Sequence, residues 1–369
     1  MHIPDNYLSP QTCAVMAAVM VPVWSISVKK VTKELPKSKV TMMGVGAAFS
    51  FLGMMFNIPL PGGTTGHAVG GTMLAMVLGP YAACISVSVA LLLQALLFGD
   101  GGILSFGANC FNMAFVLPFA GYAAARFMTA LLRRSHGRVG RNADLIGAAA
   151  GSYIGINAAA FCTAVEFGIQ PMLFRDAAGN ALYCPYGLSV AVPAMMLGHL
   201  TVFGAAEVIY TAAILAFIRA SAPELLQNSR TMETTLTGSS AVIEDVSSAT
   251  ADRRIVGQNS HTGGKTFRSL PFLLAALIVL TPLGLLAEGT AWGEWGAGEI
   301  ASTGAGFTPA GMTDGFDFHS LLPDYSVSGM PGWIGYMLSA VIGAALLLII
   351  FRLCGSVMRP DDKTPEGVH

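Results

Sequence analysis

The chain has 369 residues, of which 53% are hydrophobic and only 11% are charged, and its formal net charge is −1. This composition is too apolar for an ordinary soluble domain, and the lack of a basic patch with interleaved aromatic residues argues against a nucleic-acid partner. The 43 glycines are typical of membrane helices that pack closely through small residues. We therefore expect an all-α protein, a polytopic transmembrane helical bundle surrounded by lipid in the cell (inner or plasma) membrane.

Apolar runs along the chain predict about nine helices, several of them close to the roughly 18 residues that mark a transmembrane span. Gly79 and Pro80 interrupt a run that is too long for one span, which predicts a short buried helix followed by a longer one. The predicted helices cover residues 12–28, 40–58, 68–78, 81–98, 110–132, 143–167, 186–218, 270–286 and 333–354. In the sixth of these, Gly147, Gly151 and Gly155 recur every four residues, which predicts close packing against a neighbouring helix.

The basic loops determine the predicted orientation, because short loops rich in lysine and arginine stay in the cytoplasm. Two such loops cover residues 29–39 and 126–141, and nine crossings then place the N-terminus outside and the C-terminus in the cytoplasm. Lys29 and Lys30 follow the first apolar run instead of preceding it, unlike the basic residues of a signal peptide, so we expect the N-terminus to be retained. The outer segment 288–331 has no lysine or arginine and carries six carboxylates: Glu288, Glu294, Glu299, Asp314, Asp317 and Asp324.

A change in composition divides the chain into parts. Residues 1–219 form the first membrane bundle, and residues 269–355 form a helix–loop–helix module that contains the acidic segment. Between them, residues 220–268 are rich in serine and threonine without a long apolar run, which predicts a flexible cytoplasmic linker. Residues 356–369 form a cytoplasmic tail.

The first two residues can chelate a metal by themselves. The amine of Met1 with the amide nitrogen and imidazole of His2 forms two fused chelate rings, a planar nitrogen set that suits Ni(II) or Cu(II). Pro4 stiffens the chain just beyond. His67 follows a loop rich in glycine and proline on the predicted outer side and can supply a fourth nitrogen. The alternatives are a frayed terminal histidine and a loop histidine that is bonded to backbone.

Other polar residues in the apolar background are candidates for supporting roles, because ligating histidines usually contact a further oxygen. Asp5, Asn109 and Asn112 can each provide it, and the sequence does not choose among them. His199 and Glu207 are eight residues apart on one predicted helix, which favours an interhelical polar contact over a role beside the metal. The many methionines favour packing over a path for a soft metal, and the six scattered cysteines predict neither disulfides nor a zinc site.

Four motifs resemble the NikM/CbiM substrate-binding components of energy-coupling-factor transporters for nickel and cobalt. They are MHIPDNYLSP at residues 1–10, PGGTTGH at 61–67, FGAN at 106–109 and FNM at 111–113. The resemblance implies a nickel or cobalt ion held by the Met1 amine, the His2 amide and imidazole, and the His67 imidazole. It also implies two kinds of partner, a transmembrane coupling protein and a pair of ATP-binding-cassette ATPases.

The C-terminal module is similar to the small two-helix NikN-type component of the same transporters, here fused to the first bundle. The similarity covers residues 270–355 and includes PDYS at 323–326. One departure lies at Asn6, where members of the NikM/CbiM family usually have glycine. Asparagine also tolerates a left-handed backbone.

The function predicted from these features is that of a substrate-binding subunit of an energy-coupling-factor importer, which captures Ni(II) from outside for ATP-driven uptake. The chain lacks a Walker A motif, so ATP hydrolysis is expected in partner subunits and the chain itself is not expected to be an enzyme. An intramembrane metalloenzyme would need a set such as H-E-x-x-H, which is absent. A metal sensor or scaffold without transport remains an alternative, as does a cobalt transporter for cobalamin synthesis. The planar nitrogen field favours nickel over cobalt, and copper would have to be excluded by supply or access.

Overall fold

The computed structural model describes residues 1–60, 64–135, 137–223, 225, 269–287 and 289–357. The predicted linker (220–268) and tail (356–369) fall almost entirely outside these residues, as does Glu288 of the acidic segment. The helices before the linker are α1 (Pro10–Glu34), α2 (Lys37–Met55), α3 (Gly71–Leu78), α4 (Pro80–Leu93), α5 (Phe106–Asn109), α6 (Leu117–Leu132), α7 (Arg138–Arg141), α8 (Ala143–Leu173), α9 (Leu188–Gly198) and α10 (Gly204–Ser221). The helices after it are α11 (Ser269–Leu280), α12 (Ala297–Ile300), α13 (Ala310–Thr313) and α14 (Gly332–Val357).

Among the residues that the structure describes, six continuous helical segments are long and apolar enough to cross a membrane, which confirms the prediction of a multi-pass membrane protein. They are Pro10–Glu34, Pro80–Phe98, Phe106–Leu132, Ala143–Leu173, Leu188–Ser221 and Gly332–Val357. Two further apolar helices, Lys39–Met55 and Leu270–Leu286, are shorter. The predicted short helix is α3, and nearly all of its side chains are buried against the rest of the bundle. The expected number of about nine is therefore approximate.

Three π-helical segments widen the longer helices near the end where the loops converge: Gln94–Phe98, Cys110–Val116 and His199–Phe203. Such turns insert a residue into the helical repeat and change the directions of the following side chains, and they are frequent at functional sites. A 3₁₀ segment, Thr281–Leu286, continues α11, and a shorter one covers Pro323–Tyr325.

The predicted loop before His67 contains regular structure that the sequence did not indicate. Strands β1 (Ile58–Leu60) and β2 (Thr64–Gly66) pair antiparallel, with Ile58 opposite Gly66. Pro59 and the glycines that follow it disfavour a helix, but they permit an antiparallel strand pair. His67 directly follows the second strand of this hairpin.

Helix α8 lies at the centre of the first bundle and packs against α6, α9 and α10, while α14 packs along α2. The glycines of α8 permit its close contact with α6, because a Cβ at Gly151 would overlap the carbonyl oxygen of Gly121. The predicted small-residue packing is therefore confirmed. All six cysteines are unpaired, as expected.

The loops predicted to lie outside converge at one end of the bundle. The carbonyl of Tyr7 in the N-terminal segment accepts the N–H of Cys184 at 2.9 Å. The carbonyl of Leu182 accepts the N–H of Gly311, from the acidic segment, at 2.8 Å. The N-terminal segment and the acidic segment thus both contact residues 182–184, which agrees with their predicted placement on the same side.

Candidate metal centre

His2 and His67 lie side by side in the interior of this converging end. Nε2 of His67 is 3.1 Å from Nδ1 of His2, and the ring centroids are 4.9 Å apart. His67 is only 6% exposed and His2 only 2%. The structure thus brings together two histidines that are 65 positions apart in the chain, as the prediction of a shared site requires.

The position of His67 is determined by the hairpin before it and by buried polar contacts after it. The Glu207 carboxylate is completely buried and accepts the N–H of Val69 at 2.7 Å and that of Gly70 at 3.0 Å. Ser50 donates its hydroxyl to the carbonyl of Val69 at 2.7 Å. Glu207 therefore bonds to the loop that carries His67, across helices, and its partners are backbone groups two and three residues beyond the imidazole.

The position of His2 is determined by contacts to the next residue, Ile3. The Asn109 side chain accepts the N–H of Ile3 at 2.8 Å and donates to its carbonyl at 3.1 Å. The same carbonyl accepts the Ser105 hydroxyl at 2.6 Å and the N–H of Gly102 at 2.8 Å. Gly102 permits this approach, because a Cβ there would overlap the backbone nitrogen of Asp5.

Asp5, two residues beyond Ile3, also fixes the N-terminal segment. Its carboxylate accepts the N–H groups of Ile103 at 3.1 Å and Leu104 at 2.8 Å. Burial raises the pKa of Asp5, while these backbone hydrogen bonds act in the opposite direction. Asn6 has a left-handed backbone with φ of 64° and pairs through its side chain with both backbone groups of Phe316. The predicted tolerance of Asn6 for this conformation agrees with its backbone in the structure.

None of the three candidate supporting residues places a side-chain oxygen against the ring of His2 or His67. Asn109 and Asp5 hold the backbone around His2, as described, whereas Asn112 donates to Glu166 at 2.8 Å inside the bundle. Oδ1 of Asp100 instead lies 3.2 Å from Nδ1 of His2. The Ala68 carbonyl oxygen lies 3.3 Å from Nδ1 of His67.

Two carboxylates at the site were not among the ligands or supporting residues predicted from the sequence. Asp100 is one, and its only distinguishing signal is its position in a glycine-rich loop near Asn109. Glu294 is the other, and its Oε1 lies 2.8 Å from the Met1 ammonium. Glu294 is one of six carboxylates in the acidic segment, and nothing in the local sequence separates it from the rest.

His199 takes no part in these contacts. Its Nδ1 is 2.8 Å from the Met195 carbonyl within the same helical segment, and its ring packs against Phe203. Met54, Met55 and Met73 are buried in the apolar core, in line with the packing role expected for the methionines.

The electrostatic environment favours a neutral imidazole at His67. Burial, the neighbouring His2 and the N-terminal ammonium lower the pKa of His67 well below its usual value. A neutral imidazole has a free nitrogen lone pair, which is the form that binds a metal.

The separation of the two imidazole nitrogens suits adjacent ligands of one ion. Metal–nitrogen bonds of about 2.0 Å place neighbouring corners of a square about 2.8 Å apart, and the observed separation is 3.1 Å. Within the described residues, no group of three or more His, Cys, Asp or Glu side chains is arranged to hold a metal. A metal at this position would therefore need main-chain nitrogens as well, and Met1 and His2 can supply them.

The fold and the site define a multi-pass helical membrane protein with a buried, nitrogen-rich candidate metal centre at one end. Residues 2–225 match the family described as the cobalt uptake substrate-specific transmembrane region, and residues 268–360 match the PDGLE domain. The chain belongs to the cobalt-uptake family, and a PDGLE domain follows the family region in the sequence.

Two similar proteins align with both the family region and the PDGLE domain of this chain. It is 43% identical over 359 residues to the probable fused nickel transport protein LarMN of Lactiplantibacillus plantarum, a match that covers 95% of this chain and 97% of that protein. It is 46% identical over 366 residues to the fused nickel transport protein NikMN of Rhodobacter capsulatus, covering 94% and 95%. A crystal structure of a truncated transition metal transporter matches with a TM-score of 0.55 and 55% identity, covering 59% of this chain and 98% of that one. The predicted resemblance to NikM/CbiM proteins with a fused second component is confirmed.

Proposed function

We propose that this chain is the substrate-binding membrane subunit of a nickel importer and that it holds Ni(II) in a planar four-nitrogen site. The ligands are the Met1 amine, the His2 amide nitrogen and imidazole, and the His67 imidazole. The observation that carries the proposal is the buried approach of His67 Nε2 to His2 Nδ1 at 3.1 Å. Two relatives that align with almost the whole chain are named nickel transport proteins, which supports a transport role.

The ion to be transported is Ni(II), with Co(II) as the second candidate. A planar field of amine, amidate and imidazole nitrogens suits tetragonal Ni(II). Co(II) is favoured by a different observation, the description of the family as a cobalt-uptake region. Loading the purified protein with each ion in competition separates the two.

Binding requires the amine to change partner. In the structure the Met1 ammonium donates to Glu294, and coordination needs the nitrogen lone pair that this proton occupies. A metal ion and a proton therefore compete for the same nitrogen, and loading releases protons to solvent.

Uptake is coupled to ATP hydrolysis in partner subunits of the energy-coupling-factor type. The proposed partners are a transmembrane coupling protein and a pair of ATP-binding-cassette ATPases, because the chain itself has no Walker A motif. Co-expression with these subunits should give ATP-dependent nickel uptake into proteoliposomes. Nickel binding without any uptake in the assembled complex would favour a sensor or scaffold instead.

The test of the metal site is the metal content and visible absorption of the purified protein, compared with a His67→Ala variant. One equivalent of nickel with a d–d band, lost in the variant, is the expected result. A colourless protein, or a nickel content that the substitution leaves unchanged, would refute the four-nitrogen site. Glu166→Gln is a matched control, because it alters a buried polar group that contacts Asn112 and neither histidine.

A further inference from the structure

A buried polar cluster connects the C-terminal module to the proposed metal ligand His2. The hydroxyl of Tyr325 donates to Oδ2 of Asp100 at 2.5 Å, and Gln94 Nε2 donates to the same oxygen at 3.1 Å. Gln94 Nε2 is also 2.9 Å from the Tyr325 hydroxyl. The other oxygen of Asp100, Oδ1, faces His2 Nδ1 at 3.2 Å. The rotation of the carboxylate is thus determined by two donors on one oxygen, which directs the second oxygen toward the histidine.

Tyr325 is held firmly for this contact. Its side chain is buried, stacks on Phe98 with ring centroids 4.7 Å apart, and meets the ring of Tyr336 edge-on. Its backbone has a φ of 58°, which is uncommon for an aromatic residue. The Ser339 hydroxyl donates to the Tyr325 carbonyl at 3.0 Å. An unfavourable backbone conformation that is kept by surrounding contacts is typical of functional positions.

The hydroxyl of Tyr325 remains a proton donor at neutral pH. Burial and the nearby Asp100 carboxylate raise the pKa of Tyr325 well above its usual value. The Tyr325 hydroxyl therefore keeps its proton and can donate it to Asp100.

We propose that Tyr325 is a positioning residue of the metal centre, which fixes the Asp100 carboxylate beside the ring of His2. The inference rests on the proposed function, and it adds a specific role for the C-terminal module. When a cation occupies His2 Nδ1, the carboxylate oxygen next to this atom supplies a negative charge at a partly buried position, where charge interactions are stronger than in bulk water. Without the Tyr325 hydroxyl, the half-buried carboxylate can turn away from the histidine.

The experiment is a double-mutant cycle on nickel affinity, measured by competition with a chromophoric chelator on the full-length protein. Tyr325→Phe keeps the stacked ring and removes only the hydroxyl. We expect it to weaken nickel binding by about tenfold, within the roughly 10–100-fold range for partners that orient metal ligands. Asp100→Asn should weaken binding at least as much, and the double variant should bind like Asp100→Asn alone, because Tyr325 acts through Asp100.

A matched control is Tyr336→Phe, which removes a buried hydroxyl of the same aromatic cluster that donates to the Met55 carbonyl at 2.7 Å. We expect wild-type affinity and an unshifted d–d band in this variant. Unchanged nickel affinity in Tyr325→Phe would overturn the inference. It would also be overturned if Tyr325→Phe weakened nickel binding by the same factor in the wild type and in Asp100→Asn. The wild type and His67→Ala are measured alongside. If the wild type binds no nickel, both this inference and the proposed function are overturned. If His67→Ala loses nickel binding as expected but Tyr325→Phe binds nickel like the wild type, this inference alone is overturned.

Discussion

Glu207 offers a sharp test of how the buried bundle controls the His67 ligand. Its two carboxylate oxygens accept the N–H groups of Val69 and Gly70 at 2.7–3.0 Å, and the residue is fully buried. In Glu207→Gln one of the two oxygens becomes an NH₂ group, which cannot accept. Because the N–H of Gly70 lies 3.0 Å from both oxygens, it faces this new donor whichever way the amide is oriented. Weakening a buried hydrogen bond to a carboxylate in this way costs about 1–3 kcal/mol, which corresponds to roughly 5–150-fold in an equilibrium constant.

Because the affected backbone lies two to three residues from His67, most of this cost should appear as weaker nickel binding. We expect the affinity of Glu207→Gln to fall by about tenfold or more, measured by chelator competition on protein that elutes as a single species. Glu166→Gln controls for the loss of any buried carboxylate in the bundle. Wild-type affinity in Glu207→Gln, or an equal loss in Glu166→Gln, would refute the reasoning.

Three further predictions concern the N-terminal chelate. Adding one residue before Met1 converts its amine into an amide, so nickel binding should be lost in a metal-content assay, and full occupancy of an extended chain would contradict the ligand set. Nickel affinity should rise with pH, because the ammonium and the amide each release a proton on binding. The lowered pKa of His67 keeps its imidazole neutral, so this ligand releases no proton on binding. A pH-independent affinity would exclude the amidate ligand. Gly102→Ala should reduce nickel occupancy, since its Cβ would overlap the backbone of Asp5, whereas Gly298→Ala meets no atom within 4 Å and should bind like the wild type.

The sequence alone determined the membrane character of the chain and most of its helices, because hydrophobic runs and helix breaks are local properties. It also indicated the chelating potential of the N-terminus, since the amine, the amide and the imidazole belong to two consecutive residues. The end of the short helix α3 and its separation from α4 followed from Gly79 and Pro80. Gly79 has a φ of 87°, a backbone that few other residues adopt.

The choice among the candidate supporting residues needed the tertiary structure. Asn109 and Asn112 are three residues apart, which on a regular α-helix would place them on nearly the same face. The π-helical segment Cys110–Val116 begins between them and changes the direction of the later side chain. Asn109 therefore contacts Ile3, whereas Asn112 contacts Glu166.

The acidic partners of the site depend on contacts over long distances in the chain. Glu294 meets Met1 across 293 positions, and Tyr325 meets Asp100 across 225. No local pattern distinguishes Glu294 from the other carboxylates of its segment, because its role arises only when the C-terminal module packs on the first bundle. The residues that can chelate a metal were thus readable from the sequence, whereas the charges that surround them were decided by how the two parts of the chain fold together.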